Sequence, residues 1–173
     1  ADSTIIVICN VYDIYNNELY AKCPRSIAGK SLEYLATAGV GDVAYFGPEN
    51  EFFIFEDVKV KDQPNESFYS VDTEDGEWNN SATVEGGNMG HIAGVKGGYF
   101  PVAPIDSLYD IRGQMCNAME AMGLYIEVHH HEVATAGQCE IGVGPNTLVN
   151  KADEVQVLKY CVHNVAHAYG KTA

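Results

Sequence analysis

Two apolar segments of this chain each carry a pair of glutamates, and that combination restricts how either segment can be buried. Glu49 and Glu51 lie in AYFGPENEFFIF, residues 44–55, while Glu132 and Glu140 fall within HEVATAGQCE, residues 131–140. An extended strand points residues i and i+2 to one face, roughly 6.5–7 Å apart. Glu49 and Glu51 therefore share a face with Phe53 and Phe55. Carboxylates on such a strand repel one another and lose hydration unless a cation offsets them. Several of them converging is what a hard divalent cation with oxygen ligands requires. Glutamates at solvated strand ends would produce the same pattern, and spacing alone leaves both readings open.

The charge balance narrows the partners. With 24 acidic against 10 basic residues the net charge is −14, which repels both nucleic-acid backbone and anionic membrane. Neither is expected as a partner. A polyanionic substrate would need positive charge from bound cations or from basic residues supplied elsewhere. The 173 residues, 46% hydrophobic, suffice for one domain with a sizeable core. No apolar run approaches the 18 or more residues of a membrane helix. The cysteines, Cys9, Cys23, Cys116, Cys139 and Cys161, are odd in number and contain no C-x-x-C spacing. Reduced thiols in a cytoplasmic protein are the expectation.

Periodicity supplies the elements. Ser3 to Tyr12 is β-branched and apolar and reads as a strand. Pro24 to Thr37 reads as a helix with Ile27, Leu32 and Leu35 inward and Gly39 as its stop. Asp42 to Phe46 and Glu49 to Val60 read as strands around Gly47-Pro48, and residues 61–96 as a long irregular region with short strand-like pieces such as SFYSVD. Asp106 or Ser107 can cap a second helix running to about Met122, whose Leu108, Ile111, Met115, Met119 and Met122 form a core-facing stripe. Tyr125 to Val133 and Gln138 to Val143 read as a hairpin that sets Glu132 roughly opposite Glu140. Asn150 is expected to cap a third helix closed by Gly170. The class is α+β, a largely antiparallel sheet carrying the glutamates with helices packed on its other face.

Among the residues that could carry chemistry, His129, His130 and His131 invite a zinc reading. Alternation puts only His129 and His131 on one face, and no cysteine has finger-like spacing, so supporting roles are expected. In a regular strand Glu127 lies on the opposite face from Glu132, and both can serve one site only if a bulge intervenes or the site wraps the strand end. VDTEDGEW, residues 71–78, fails as an EF-hand because Val71 would be its first ligand; it reads as a solvated acidic turn. The glycine-rich segment EGGNMGHIAGVKGGYFP, residues 85–101, is not a Walker loop, since Gly94-Val95-Lys96 lacks a following Ser or Thr. Tyr99 at its exit could line a polar site or simply pack. Carboxylates dominate and basic groups are scarce, which favours metal-assisted transfer chemistry.

At these residues the chain resembles bacterial class I glutamine synthetase. GPENEFFIFED, EGGNMGHIAGVKGGYFPVAPIDS, EVHHHEVATAGQCEIG and NKADEVQVLKYCVHNVAHAYGKTA are similar to consecutive blocks of that family, in order, over essentially the whole chain. The resemblance implies a homododecamer with active sites between subunits. It implies two divalent metals, Mg2+ or Mn2+, with ATP as co-substrate and glutamate and ammonia as substrates. Carried over by position, Glu51, Glu132 and Glu140 match the ligands of the first metal and Glu49 a ligand of the second. Glu127 matches a residue on the ATP side, and Tyr99 one near the glutamate and ammonium sites. The implied reaction phosphorylates the γ-carboxylate of glutamate, after which ammonia displaces phosphate to give glutamine.

The departures are equally specific. The family's N-terminal small domain is missing, as is everything after Ala173, including the phosphate-binding arginines and the rest of the second metal site. Residues 1–173 thus correspond to the first portion of the catalytic domain. Gly144-Pro145 stands where enteric relatives have Arg-Phe, and Cys139 where Asn or His is commoner. Two alternatives follow: a γ-glutamyl ligase acting on another amine, or, for the 173-residue piece alone, a non-catalytic metal-binding or assembly fragment.

Overall fold

A computed structural model describes residues 3–83, 87, 90–134 and 136–173. Glu85, Gly86, Asn88 and Met89 of the glycine-rich segment, and Thr135 of the hairpin loop, lie outside these. The chain divides into two compact units, residues 1–47 with 145–156 and residues 48–144 with 157–173.

In the first unit the helix over residues 24–37 forms as α1 (Pro24–Thr37), and Gly39 beyond it adopts φ +66°. A left-handed residue at this point is the usual way to end a helix. Leu32 and Leu35 are half-buried, but Ile27 is exposed, against expectation. Two short strands, β1 (Tyr45–Phe46) and β7 (Asn146–Thr147), pair antiparallel. A long helix, α3 (Leu148–Ala168), starts directly after β7, two residues ahead of the expected cap at Asn150; its residues up to Gln156 belong to this unit and those from Val157 to the second. Its Asp153 takes two hydrogen bonds from Arg25 of α1, at 3.0 and 2.8 Å. The expected strand over residues 3–12 is not formed. Tyr12 makes one isolated bridge to Leu19, and Ile5, Ile6, Val7 and Ile8 are exposed. A β-competent sequence becomes a strand only when another strand pairs with it along its length, and among the described residues the strand pairing of this segment is the Tyr12–Leu19 bridge alone.

The second unit holds the glutamates. β2 (Glu49–Phe53), β5 (Ile126–His131) and β6 (Gln138–Val143) form an antiparallel sheet in the order β2-β6-β5. The single strand expected from Glu49 to Val60 breaks after Phe53 and resumes as β3 (Asp57–Gln63). β3 pairs with β4 (Glu66–Asp72) through the two-residue turn Pro64-Asn65. About a third of the stretch expected to be irregular, residues 61–72, thus belongs to a regular hairpin closed by a Pro-Asn turn. A short 3-10 turn follows at Glu77–Asn79, then α2 (Tyr109–Ala121).

Strand alternation divides the sheet cleanly. Cys139, Ile141 and Val143 of β6 turn into the core with Phe52 of β2. There they meet Leu108, Ile111, Met115 and Met119 of the α2 stripe and Leu158, Cys161 and Val162 of α3. The opposite face carries the acidic residues. Met122, the last residue expected in the stripe, lies beyond the helix end and is 46% exposed. None of the five cysteines is paired. Among the described residues no helix is long and apolar enough to cross a membrane.

Candidate metal centre

Register, more than proximity in sequence, assembles this site. Glu51 of β2 stands directly opposite Glu140 of β6, and Glu140 directly opposite His130 of β5. Three polar side chains therefore cross the sheet in one row on its non-core face. Glu132, two residues past His130, keeps to the same face and pairs by its backbone N–H with the carbonyl of Gln138 at 2.9 Å. This corrects the expected register: Glu132 faces Gln138 rather than Glu140, so the two glutamates are diagonal neighbours. The cause is the loop, whose Ala134 N–H is taken by the Gln138 side chain, holding the hairpin two residues tighter. The two carboxylates still converge. Ligating atoms of His130, Glu132 and Glu140 all lie within 4.8 Å of one another.

His130 sits between the carboxylates, Nδ1 3.5 Å from Glu132 Oε1 and Nε2 3.5 Å from Glu140 Oε2. Its ring is stacked on Phe100 at 4.2 Å and meets Tyr99 edge-on at 5.8 Å. It belongs to the site, whereas His129 and His131 point to the other face. The spacing His-x-Glu on a strand carries that signal, because alternation that removes His130 from its neighbours places it beside Glu132.

Burial raises the pKa of Glu140; His130 opposes this, while Glu49 and Glu132 add to it. A carboxylate destabilised in its charged form by burial and by its neighbours is one that a cation would stabilise. That is the physical fit between these residues and a divalent metal. Glu51 does not enter the tight cluster: its Oε2 accepts a 2.6 Å hydrogen bond from Gln138 Nε2. Glu49, exposed, faces Gly142 across the strands, one step along from Glu140. Glu127 is the extra residue where the β5–β6 register shifts between Ile126 and Val128. The bulge that would bring it toward the site therefore exists, and its side chain is exposed. Tyr99 is exposed at the rim beside His130.

The core face of β5 secures the row from behind. Arg112 of α2, fully buried, is paired with Asp106, Nη1 to Oδ1 at 2.9 Å, and its Nε donates to His129 Nδ1 at 3.4 Å. Burial, assisted by that guanidinium, pushes the His129 pKa below its ordinary value. His131 is held on both ring nitrogens. Nε2 lies 2.9 Å from Asp75, and Nδ1 lies 2.8 Å from the Gly98 carbonyl and 2.9 Å from that of Glu132. Burial alone would lower its pKa, but Asp75 and the two carbonyls outweigh burial and raise it. Asp75 was expected in a solvated turn; it is instead buried.

Comparison with known proteins adds an independent line. Residues 21–173 match the family model described as glutamine synthetase, catalytic domain. The chain is 58% identical over 172 residues to a glutamine synthetase of Methylococcus capsulatus, covering 99% of this chain and 37% of that protein. It is 52% identical over 173 residues to that of Salmonella typhimurium, covering all of this chain and again 37% of the relative. The chain thus spans little more than a third of the length of these relatives. Among solved structures it resembles the glutamine synthetase of Plasmodium falciparum, with a TM-score of 0.77 at 27% identity, over 91% of this chain and 31% of that one.

Proposed function

Because the chain belongs to the glutamine synthetase family, we propose that it forms the first portion of the catalytic domain of a glutamate–ammonia ligase. The parent protein makes glutamine from glutamate, ammonia and ATP through a γ-glutamyl phosphate, as a cytoplasmic dodecamer. The observation that carries this reading is the row Glu51–Glu140–His130 with Glu132 on the same face, within a chain matched to the family over nearly its whole length.

In this reading Glu51, Glu132 and Glu140 hold the first divalent cation, Mg2+ or Mn2+, and Glu49 contributes to the second. Such cations supply the positive charge that a transferring phosphoryl group needs, which a chain of net charge −14 does not itself offer. The protein's share is alignment. Glu140 is locked by register between two neighbouring strands, and Gln138 orients Glu51 through its amide. Glu127, on the bulge, faces the nucleotide, and Tyr99 borders the glutamate and ammonium side.

Glu132→Gln in the full protein tests the assignment. It removes one negative charge and keeps the shape, so both metal affinity and ATP-dependent glutamine formation are expected to fall by at least tenfold. Normal turnover together with normal metal affinity would overturn it. Assaying ammonium against polyamines in the same protein separates glutamine synthesis from a ligase specific for another amine.

A further inference from the structure

Asp75 is a buried carboxylate that the metal reading does not use. It belongs to the acidic turn VDTEDGEW, yet it is only 4% exposed. Its Oδ1 accepts a hydrogen bond from the Ser107 hydroxyl, and its Oδ2 lies 2.9 Å from His131 Nε2. Across the same ring, Nδ1 reaches the backbone carbonyls of Gly98 and Glu132. One imidazole thus ties three segments together: the acidic turn, the backbone immediately before Tyr99, and the backbone of a proposed metal ligand. Phe100 N–H adds a 3.3 Å hydrogen bond to the His131 carbonyl. The approach is close enough that a Cβ on Gly98 would stand 2.6 Å from the Glu132 carbonyl oxygen and 2.8 Å from the His131 ring.

We propose that Asp75 is a positioning residue for the active site. Acting through the His131 ring, it holds the backbones of Glu132 and Gly98 in one fixed relation, and so sets the metal-side carboxylate against Tyr99 and Phe100. This rests on the reading of Glu132 as a metal ligand. A buried carboxylate is costly unless it is partnered, and simple packing could be met by apolar groups. Here the carboxylate is spent on orienting a ring whose other nitrogen grips the two backbones that matter. Partners that act on a metal site only through its ligands still tune the affinity of that site.

The test titrates the full protein with Mn2+, following free ion by electron paramagnetic resonance, for wild type, Asp75→Ala, Asp75→Asn, Asp75→Glu and Glu132→Gln. Thermal unfolding is measured in parallel. Asp75→Ala is expected to weaken Mn2+ about tenfold, Asp75→Asn less, and Asp75→Glu to recover most of the loss because the carboxylate returns. A merely structural Asp75 would lower the melting temperature of the Ala and Asn variants and leave their Mn2+ affinity unchanged, which overturns the proposal. If Asp75→Ala does not fold, the isosteric Asn variant decides by the same criterion. Glu132→Gln separates the two readings: if it weakens Mn2+ binding while the Asp75 variants do not, only the positioning role fails. If Glu132→Gln leaves Mn2+ affinity intact, the metal reading fails and takes the positioning role with it.

Discussion

At the scale of single residues, His131 and Glu140 make opposite demands on protons. Every partner of the His131 ring is an acceptor, namely the Asp75 carboxylate and two backbone carbonyls, so a proton is favoured on both nitrogens. Its folded pKa is raised against the effect of burial. A raised pKa contributes stability that is complete below the unfolded value near 6.5 and lost as pH rises through the folded value. The melting temperature is therefore expected to decline as pH is raised from about 6 to 8, and Asp75→Ala to flatten that decline. An unchanged slope in the variant would remove His131 as its source. Glu140 is raised as well, first by burial and then by Glu49 and Glu132 against His130. In the proposed metal site its proton would compete with a cation, so Mn2+ affinity is expected to weaken on acidification at a pH above the ordinary glutamate value of about 4.3, with Glu140→Gln removing that part of the dependence. Glu49 and Glu51 were legible from i, i+2 spacing, and Glu132 and Glu140 from their places on either side of a hairpin loop. Asp75 was not, because nothing in a run of acidic turn residues distinguishes the one that is buried.

Among the elements, the β5–β6 hairpin and α2 were nearly fully legible, since each has a strong period and a glycine or turn signal at its end. The hairpin register was not, because it depends on which residue closes the loop. Gly137 is part of that closure. It adopts φ +78°, its carbonyl accepts a hydrogen bond from Ile54 N–H at 2.8 Å, and a Cβ there would collide with the Ile54 carbonyl. Gly137→Ala is expected to cost about 2–3 kcal/mol, read as a lowered urea midpoint; a cost near zero would mean the loop relaxes freely. In α2 the stripe discriminates between its own members. Met115 is fully buried, so Met115→Ala is expected to cost about 2–5 kcal/mol, while Met122→Ala, at a site half open to solvent, should cost well under that. Equal losses in urea unfolding would contradict the packing described. The strand expected over residues 3–12 and the continuous one from Glu49 to Val60 mark the limit of period-based reading, because a strand exists only by virtue of its neighbour.

For the whole molecule, the exposed apolar side chains are the dominant fact. Ile5, Val7, Ile14, Tyr15, Val40, Val60, Tyr69 and Val102 are all largely open to solvent, more than a stable monomer usually leaves uncovered. The 173-residue chain produced alone is expected to self-associate in light scattering and to form no glutamine from ATP, glutamate and ammonium. Glutamine formation by the isolated chain would show that it needs no further part. Sequence by itself determined the family, through long blocks in order, and the alternation that sends Cys139, Ile141 and Val143 to one face and Gln138 and Glu140 to the other. Those properties are local, set by side-chain identity and a two-residue period. Only tertiary structure decided that His130 stands in line with Glu51 and Glu140, that Glu132 is their diagonal neighbour, and that Asp75 is buried against His131. Each of these depends on where separate strands and loops meet, and strand register and loop docking are fixed by contacts between residues far apart in the chain.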